Sequence, residues 1–274
     1  MARATAIVVA GPGIVPAGVG AVRAFSRATG VGVLNTYGVK GLFRWDDPSH
    51  YGTIGLQARD LELAGILDAD VVIAVGLDDR ELAASALGPR AAIVVPDELE
   101  QWRDRVRPTP RGPLFDRLRT ALAAPYASER VPLNPAAAVA DIAALLPPSG
   151  IVCAEPGLAG LWVARALPTL ELGSVFVPPT ASDGAAARHA AAAAAEGRGA
   201  LYVTDHLPRA EPPPGVVVEV WQPHGTQRTR QERRRTLAGA LASRTACVLA
   251  TAVDLDETQL LVDVAGPVTA WTQG

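Results

Sequence analysis

The sequence predicts an α/β protein of two domains, each a mainly parallel sheet flanked by helices. Three observations predict it. Apolar runs end in glycine turns, as at Ala6-Ile7-Val8-Val9-Ala10 before Gly11-Pro12-Gly13 and at Val71-Val72-Ile73-Ala74-Val75 before Gly76. A buried parallel strand presents its carboxyl end to a ligand in this way. Stretches of helical spacing separate such runs, and that alternation calls for parallel pairing with right-handed crossovers. The chain of 274 residues, 49% hydrophobic and 19% charged, is also long enough to bury a sizeable core.

In order, the first strand is predicted at 6–10. Val19, Val22, Ala24, Phe25 and Ala28 share one face of a helix at 19–28, which Gly30 stops. A strand follows at 31–34. The stretch 39–55 is broken by Gly41, Pro48, Ser49, Gly52 and Gly55 and reads as loop. A helix at 58–67 precedes the strand within 68–76, and a strand at 91–95 ends at Pro96-Asp97. Residues 101–112 are polar and punctuated by Pro108 and Pro110, a helix covers 114–124, and 125–135 reads as a linker. The domains are thus expected at 1–126 and 134–274.

The second half repeats the alternation. A helix at 136–146 is stopped by Pro147-Pro148, and a strand at 151–154 enters Glu155-Pro156-Gly157. Next come a helix at 158–167, a strand at 174–177, and an alanine-rich helix at 183–197 capped by Ser182. A strand at 201–204 reaches Asp205-His206, and a proline-rich turn follows at 211–215. Later strands are expected at 216–221, 247–253 and 260–264.

The formal net charge of −3 gives no reason to expect nucleic acid. Cys153 and Cys247 each sit in an apolar run and read as buried thiols, not a disulfide or metal pair. No apolar run approaches the ~20 residues of a spanning helix, so a soluble cytoplasmic protein without a membrane segment is expected.

Several residues invite chemistry. Gly11-Pro12-Gly13 follows a strand and precedes a helix, the context for a phosphate at a helix N-terminus. Gly18 and Gly20 do not complete the dinucleotide spacing, so a tight turn without ligand reads equally well. His206 and His224 show no ligand spacing, and His50 matches no catalytic pair. Ser182-Asp183 near His189 hints at nucleophilic work, but Ser182 reads better as a cap. Arg228, Arg230, Arg233, Arg234 and Arg235 form a basic stripe on a helical segment. It reads as a solvated face pairing with Glu232 and nearby carboxylates, or as an anion or partner-docking surface.

Four stretches agree in order with one family: Ala6–Gly13 by its strand and glycine turn, Thr36-Tyr37-Gly38-Val39-Lys40-Gly41, Asp46-Asp47-Pro48-Ser49-His50-Tyr51-Gly52-Thr53-Ile54-Gly55, and Asp68–Gly76 with Asp78-Asp79-Arg80. This series resembles the central domain of the thiamine diphosphate (ThDP) enzymes, in the acetolactate synthase and benzoylformate decarboxylase group. Lys40 and Gly41 match the family's Gly-Lys-Gly loop, and Asp47-Pro48 stands where it has Asp-His-Pro. The resemblance implies a nucleotide-binding-like domain followed by a shortened ThDP-binding-like domain. It also implies a site for FAD or ADP rimmed by Gly11, Gly13, Gly55, Gly76 and Asp97.

In the second half, Glu155, Gly157, Ser182 and Asp183 would border the ThDP diphosphate, and Asp205 would be the metal ligand for Mg²⁺. The family's Gly-Asp-Gly has become Thr204-Asp205-His206, and no asparagine lies beyond Asn134. Mg²⁺ demands several hard oxygens in tight octahedral geometry. The family's pyrimidine-binding domain, with the glutamate that activates the thiazolium, has no counterpart here. The resemblance therefore implies a non-catalytic structural or regulatory module. Its alternative is one subunit of a split 2-oxo acid decarboxylase or carboligase, completed by a chain carrying the pyrimidine-binding domain. A homo-oligomer or such a hetero-assembly is expected.

Overall fold

The computed structural model describes residues 3–180, 184–208 and 210–271. The first half contains β1 (Ala4–Ala10), α1 (Val19–Thr29), β2 (Val33–Thr36), β3 (His50–Ile54), α2 (Asp60–Leu63), β4 (Val71–Val75), β5 (Ala91–Val94), β6 (Val106–Pro108) and α3 (Leu114–Tyr126). The second contains α4 (Pro135–Leu145), β7 (Ile151–Ala154), α5 (Leu158–Ala166), β8 (Val175–Phe176), α6 (Ala185–Ala195), β9 (Ala200–Thr204), β10 (Val216–Gln222), α7 (Arg230–Ser243), β11 (Cys247–Ala252) and α8 (Gln259–Ala265).

Two parallel sheets result. The first runs β3-β2-β1-β4-β5, with β6 pairing β1; the second runs β11-β10-β9-β7-β8. Val8 sits level with Val33 on one side and Ile73 on the other. In the second sheet Val152 sits level with Val175 and Leu201. Both are α/β orders that reverse direction at one point, the first between β1 and β4, the second between β7 and β9.

Strand alternation sorts the core. Ala6, Val8, Ala10, Ile73 and Val75 face α1, where Val22 and Phe25 are buried. The opposite face, with Ile7, Val9, Leu34, Val72 and Ala74, joins a core that continues through α3, α4 and α5 into Val152, Ala154, Leu201 and Val203 of the second sheet. The far face of that sheet, with Ile151, Cys153 and Tyr202, is covered by Ala186, Ala190 and Ala193 of α6. Each fully buried large apolar side chain contributes roughly 1.5–3 kcal/mol. Trp162 adds a hydrogen bond from Nε1 to Thr258 Oγ1 at 2.9 Å.

Several expectations are corrected. The stretch read as loop at 39–55 contains β3, held by pairing with β2 and by Gly52 at φ 132°. The helix expected at 58–67 shrinks to α2, because Gly65 turns left-handed and a 3-10 turn takes over at Ile66–Asp68. The polar stretch at 101–112 supplies β6. Helix α3 runs through Pro125 to Tyr126, into the expected linker. The strand expected at 260–264 is helix α8, which buries Leu261 and Ala265 four residues apart. Cys153 is buried in the core of the second sheet, whereas Cys247 opens β11 and is only half-buried. Among the described residues, no helix is long and apolar enough to cross a membrane.

Candidate functional site

At the reversal of the second sheet, β7 delivers Glu155-Pro156-Gly157 and β9 delivers Asp205 to one edge. Gly157 has φ 149°, and an added Cβ would stand 3.2 Å from Asp205 Oδ2. A bare backbone here lets the aspartate come close. Glu155, Gly157 and Asp205, read from the sequence as one site, are brought together. Ser182 and Asp183 lie outside the described residues. Gly184, left-handed at φ 69°, immediately precedes α6.

Glu155, Pro156 and Gly184 border a cleft of about 930 Å³. Its floor includes Tyr202, Thr204 and Val218, and its wall includes Leu207, Pro208, Pro212 and Pro213. The connection from β9 to β10 carries no helix among its described residues, whereas the connection from β10 to β11 contains α7. A parallel sheet normally covers both faces with its crossover helices. Here α6 covers its side alone and a proline-rich segment spans the rest. Burial pushes the Tyr202 phenol up to about 12.

The acids are already engaged. Glu155 Oε1 accepts the backbone N–H of Ala186 at 3.1 Å, in the first turn of α6. A helix N-terminus offers orphan N–H groups and a favourable dipole to an anion, and here a protein carboxylate takes that place. The Asp205 carboxylate pairs with Nδ1 of His206, an exposed neighbour. The described lining contains Glu155 and Glu211 but no lysine or arginine. Among the described residues no group of three or more His, Cys, Asp or Glu is placed to hold a metal ion. Among the described residues the donor set does not fit Mg²⁺ with a diphosphate: a carboxylate already sits at the helix terminus, and the hard oxygens are too few for octahedral coordination.

The first sheet reverses between β1 and β4, and there Gly11, Gly13 and Gly76 meet. Gly11 N–H donates to Val75 O at 2.9 Å and Gly13 N–H to Gly76 O at 2.7 Å. The two loops are therefore in backbone contact, and the Gly11 and Gly13 N–H groups, which a phosphate would require, are spent on the carbonyls of Val75 and Gly76. Asp97 lies in the 3-10 segment Pro96–Trp102 beyond β5. Gly55, at φ 87° after β3, instead abuts the backbone of Glu81.

Three arginines of the basic stripe turn inward onto carboxylates, while Arg235 stays exposed as a solvated face expects. Arg233 is buried and reaches Glu219 through two nitrogens, each at 2.7 Å, and Asp141 at 3.2 Å. Arg230 and Arg234 also close on Asp141, which is wholly buried. Burial acts to raise the Glu219 carboxyl, but Arg233 outweighs it and holds the group below the usual carboxylate range. The stripe is thus a bolt fastening α7 to α4 and β10.

A second buried network escaped the sequence reading. Arg165 of α5 donates to Gln57 Oε1 at 3.0 Å, to Thr53 O and to Asp60 Oδ1. An arginine inside the apolar run of 158–167 was its one visible signal.

Residues 2–100 match the family model described as the thiamine pyrophosphate enzyme, central domain. The matched stretch spans β1 to β5 and stops short of β6. No curated protein matches the chain. This first stretch, with its glycine turns and its β3-β2-β1-β4-β5 sheet, is thus similar to the central domain of the thiamine pyrophosphate enzymes.

Proposed function

We propose that the protein is a non-catalytic relative of the ThDP-dependent enzymes, retained as a structural or regulatory module. The observation that carries this reading is the Glu155 carboxylate at the N-terminus of α6. An incoming diphosphate would have to displace a like charge that is already hydrogen-bonded. The engagement of Asp205 by His206 supports the same reading.

The test is thermal melting of the whole protein with ThDP, with and without Mg²⁺, and separately with ADP and FAD. A ligand at about 100 times its Kd stabilises by ~2.7 kcal/mol, which a melting curve reads easily. The expected result is no rise with ThDP in either condition. A rise that requires Mg²⁺ overturns the proposal and favours a subunit of a split 2-oxo acid decarboxylase or carboligase. A rise with ADP or FAD alone is compatible with the module and assigns it a nucleotide.

A further inference from the structure

Lys40 is the only lysine among the chain's 25 lysines and arginines. It is 6% exposed and sits just after the 3-10 turn Tyr37–Val39. Burial, and after it the charge of Arg165, pushes its ammonium down to about 7, with no acid among the described residues acting against them. An unpaired buried ammonium costs several kcal/mol, so its presence asks for a partner.

Lys40 lines a small cavity of about 50 Å³ at the seam between the two halves, together with His50, Thr53, Arg119 and Arg165. A single water needs roughly 10–15 Å³ on this measure, so a few waters or one small oxyanion would fit. The surrounding charge is lopsided. Arg165 is matched by Asp60, and Arg111 and Arg119 share Asp116 at 3.1 and 3.9 Å. Lys40 is left over. His50 is buried, its Nδ1 has no hydrogen-bond partner, and burial followed by Lys40 and Arg111 pushes its imidazole down to about 3. The ring is therefore neutral at pH 7.

We propose that this cavity is a binding site for a small oxyanion of phosphate or carboxylate chemistry, held by Lys40 at the seam of the two halves. The inference is independent of the reading of the second-half cleft.

A single lysine makes the test direct. Whole protein carrying ¹³C,¹⁵N-lysine shows one set of side-chain resonances, and its titration midpoint is read in chloride, phosphate and acetate at matched ionic strength. In chloride the midpoint is expected near 7. A bound anion favours the charged ammonium, so the midpoint rises by roughly one unit or more, a tenfold preference. A rise in phosphate alone, or in acetate alone, identifies which oxyanion the site takes. In parallel, phosphate raises the melting temperature with the logarithm of its concentration above Kd, by roughly 5–10 °C at about 100 times Kd, and Lys40→Met abolishes that response. A midpoint unchanged in both anions, or a Lys40→Met protein that responds like the parent, overturns the proposal and leaves a cavity of water. If Lys40→Met does not fold, the lysine titration of the parent decides alone.

Discussion

Gly76 occupies a position where a methyl group has nowhere to go. Its φ is +61°, and an added Cβ would stand 2.6 Å from the backbone nitrogen of Ile14. Gly30 is left-handed at φ +72° and ψ 2°, and an added Cβ there would meet only a Pro108 carbon at an ordinary 3.8 Å. The pair separates conformational strain from steric contact. Gly30→Ala is expected to cost about 1 kcal/mol, the ordinary penalty of a left-handed alanine. Gly76→Ala is expected to cost about 2–4 kcal/mol, because the β1 and β4 loops must also part. Urea unfolding of the two variants checks this, and equal losses would remove the contact argument. At this scale the sequence was legible in part. The strand-to-glycine turns marked Gly11 and Gly76 correctly as the ends of β1 and β4. That Gly11 and Gly13 donate to Val75 O and Gly76 O depends on strand order, which no local pattern carries.

Among the elements, α7 shows what periodicity leaves open. Thr229 caps it and Glu232 completes a capping box, so its start is written locally. Its buried face is not. An arginine-rich helix reads as solvated unless its acids are known, and Asp141 and Glu219 lie 92 and 14 residues from Arg233. Replacing Asp141 with asparagine removes the buried carboxylate that Arg230, Arg233 and Arg234 share, although Arg233 keeps Glu219, and is expected to cost about 3–5 kcal/mol. Replacing the exposed Arg235 with alanine should change stability by less than about 0.5 kcal/mol. Denaturant midpoints of both variants test the assignment; similar small losses would return the stripe to the surface. Helix α8 was misread for a related reason. A run of Leu260, Leu261 and Val262 is too short for periodicity to separate strand from helix. Strand β3 was missed because its pairing with β2 overrides the glycines within it. Glu155, Gly157 and Asp205 were readable as neighbours, since each ends a predicted strand or begins the turn beyond it. Lys40 was noticed only as a family marker, because the cavity it lines is closed in part by Arg165, Ala166 and Leu167, which arrive from the other half.

For the whole molecule, the larger core decides cooperativity. It joins Ile7 and Leu34 of the first sheet to Val152 and Leu201 of the second without a break. Arg165 reaches from α5 to Gln57, Thr53 and Asp60. The segment after α8 returns to the first half, where Ala58 N–H donates to Pro267 O and Thr269 N–H to Leu56 O, each within 3.0 Å. Neither half can open without exposing apolar surface of the other. Calorimetry is expected to show one transition with equal calorimetric and van't Hoff enthalpies. Two resolved peaks would mean that the shared core contributes little.

The same return has a consequence in time. The Gln57 side-chain amide donates to Leu261 O and Gly266 O, which lie 204 and 209 residues further along the chain. At synthesis rates of about 5–20 residues per second, those acceptors leave the ribosome roughly 10–40 s after Gln57. The nascent first sheet must spend that interval with one flank uncovered and its amide unanswered, so the order of translation leaves the earliest-made half to be finished by the latest-made.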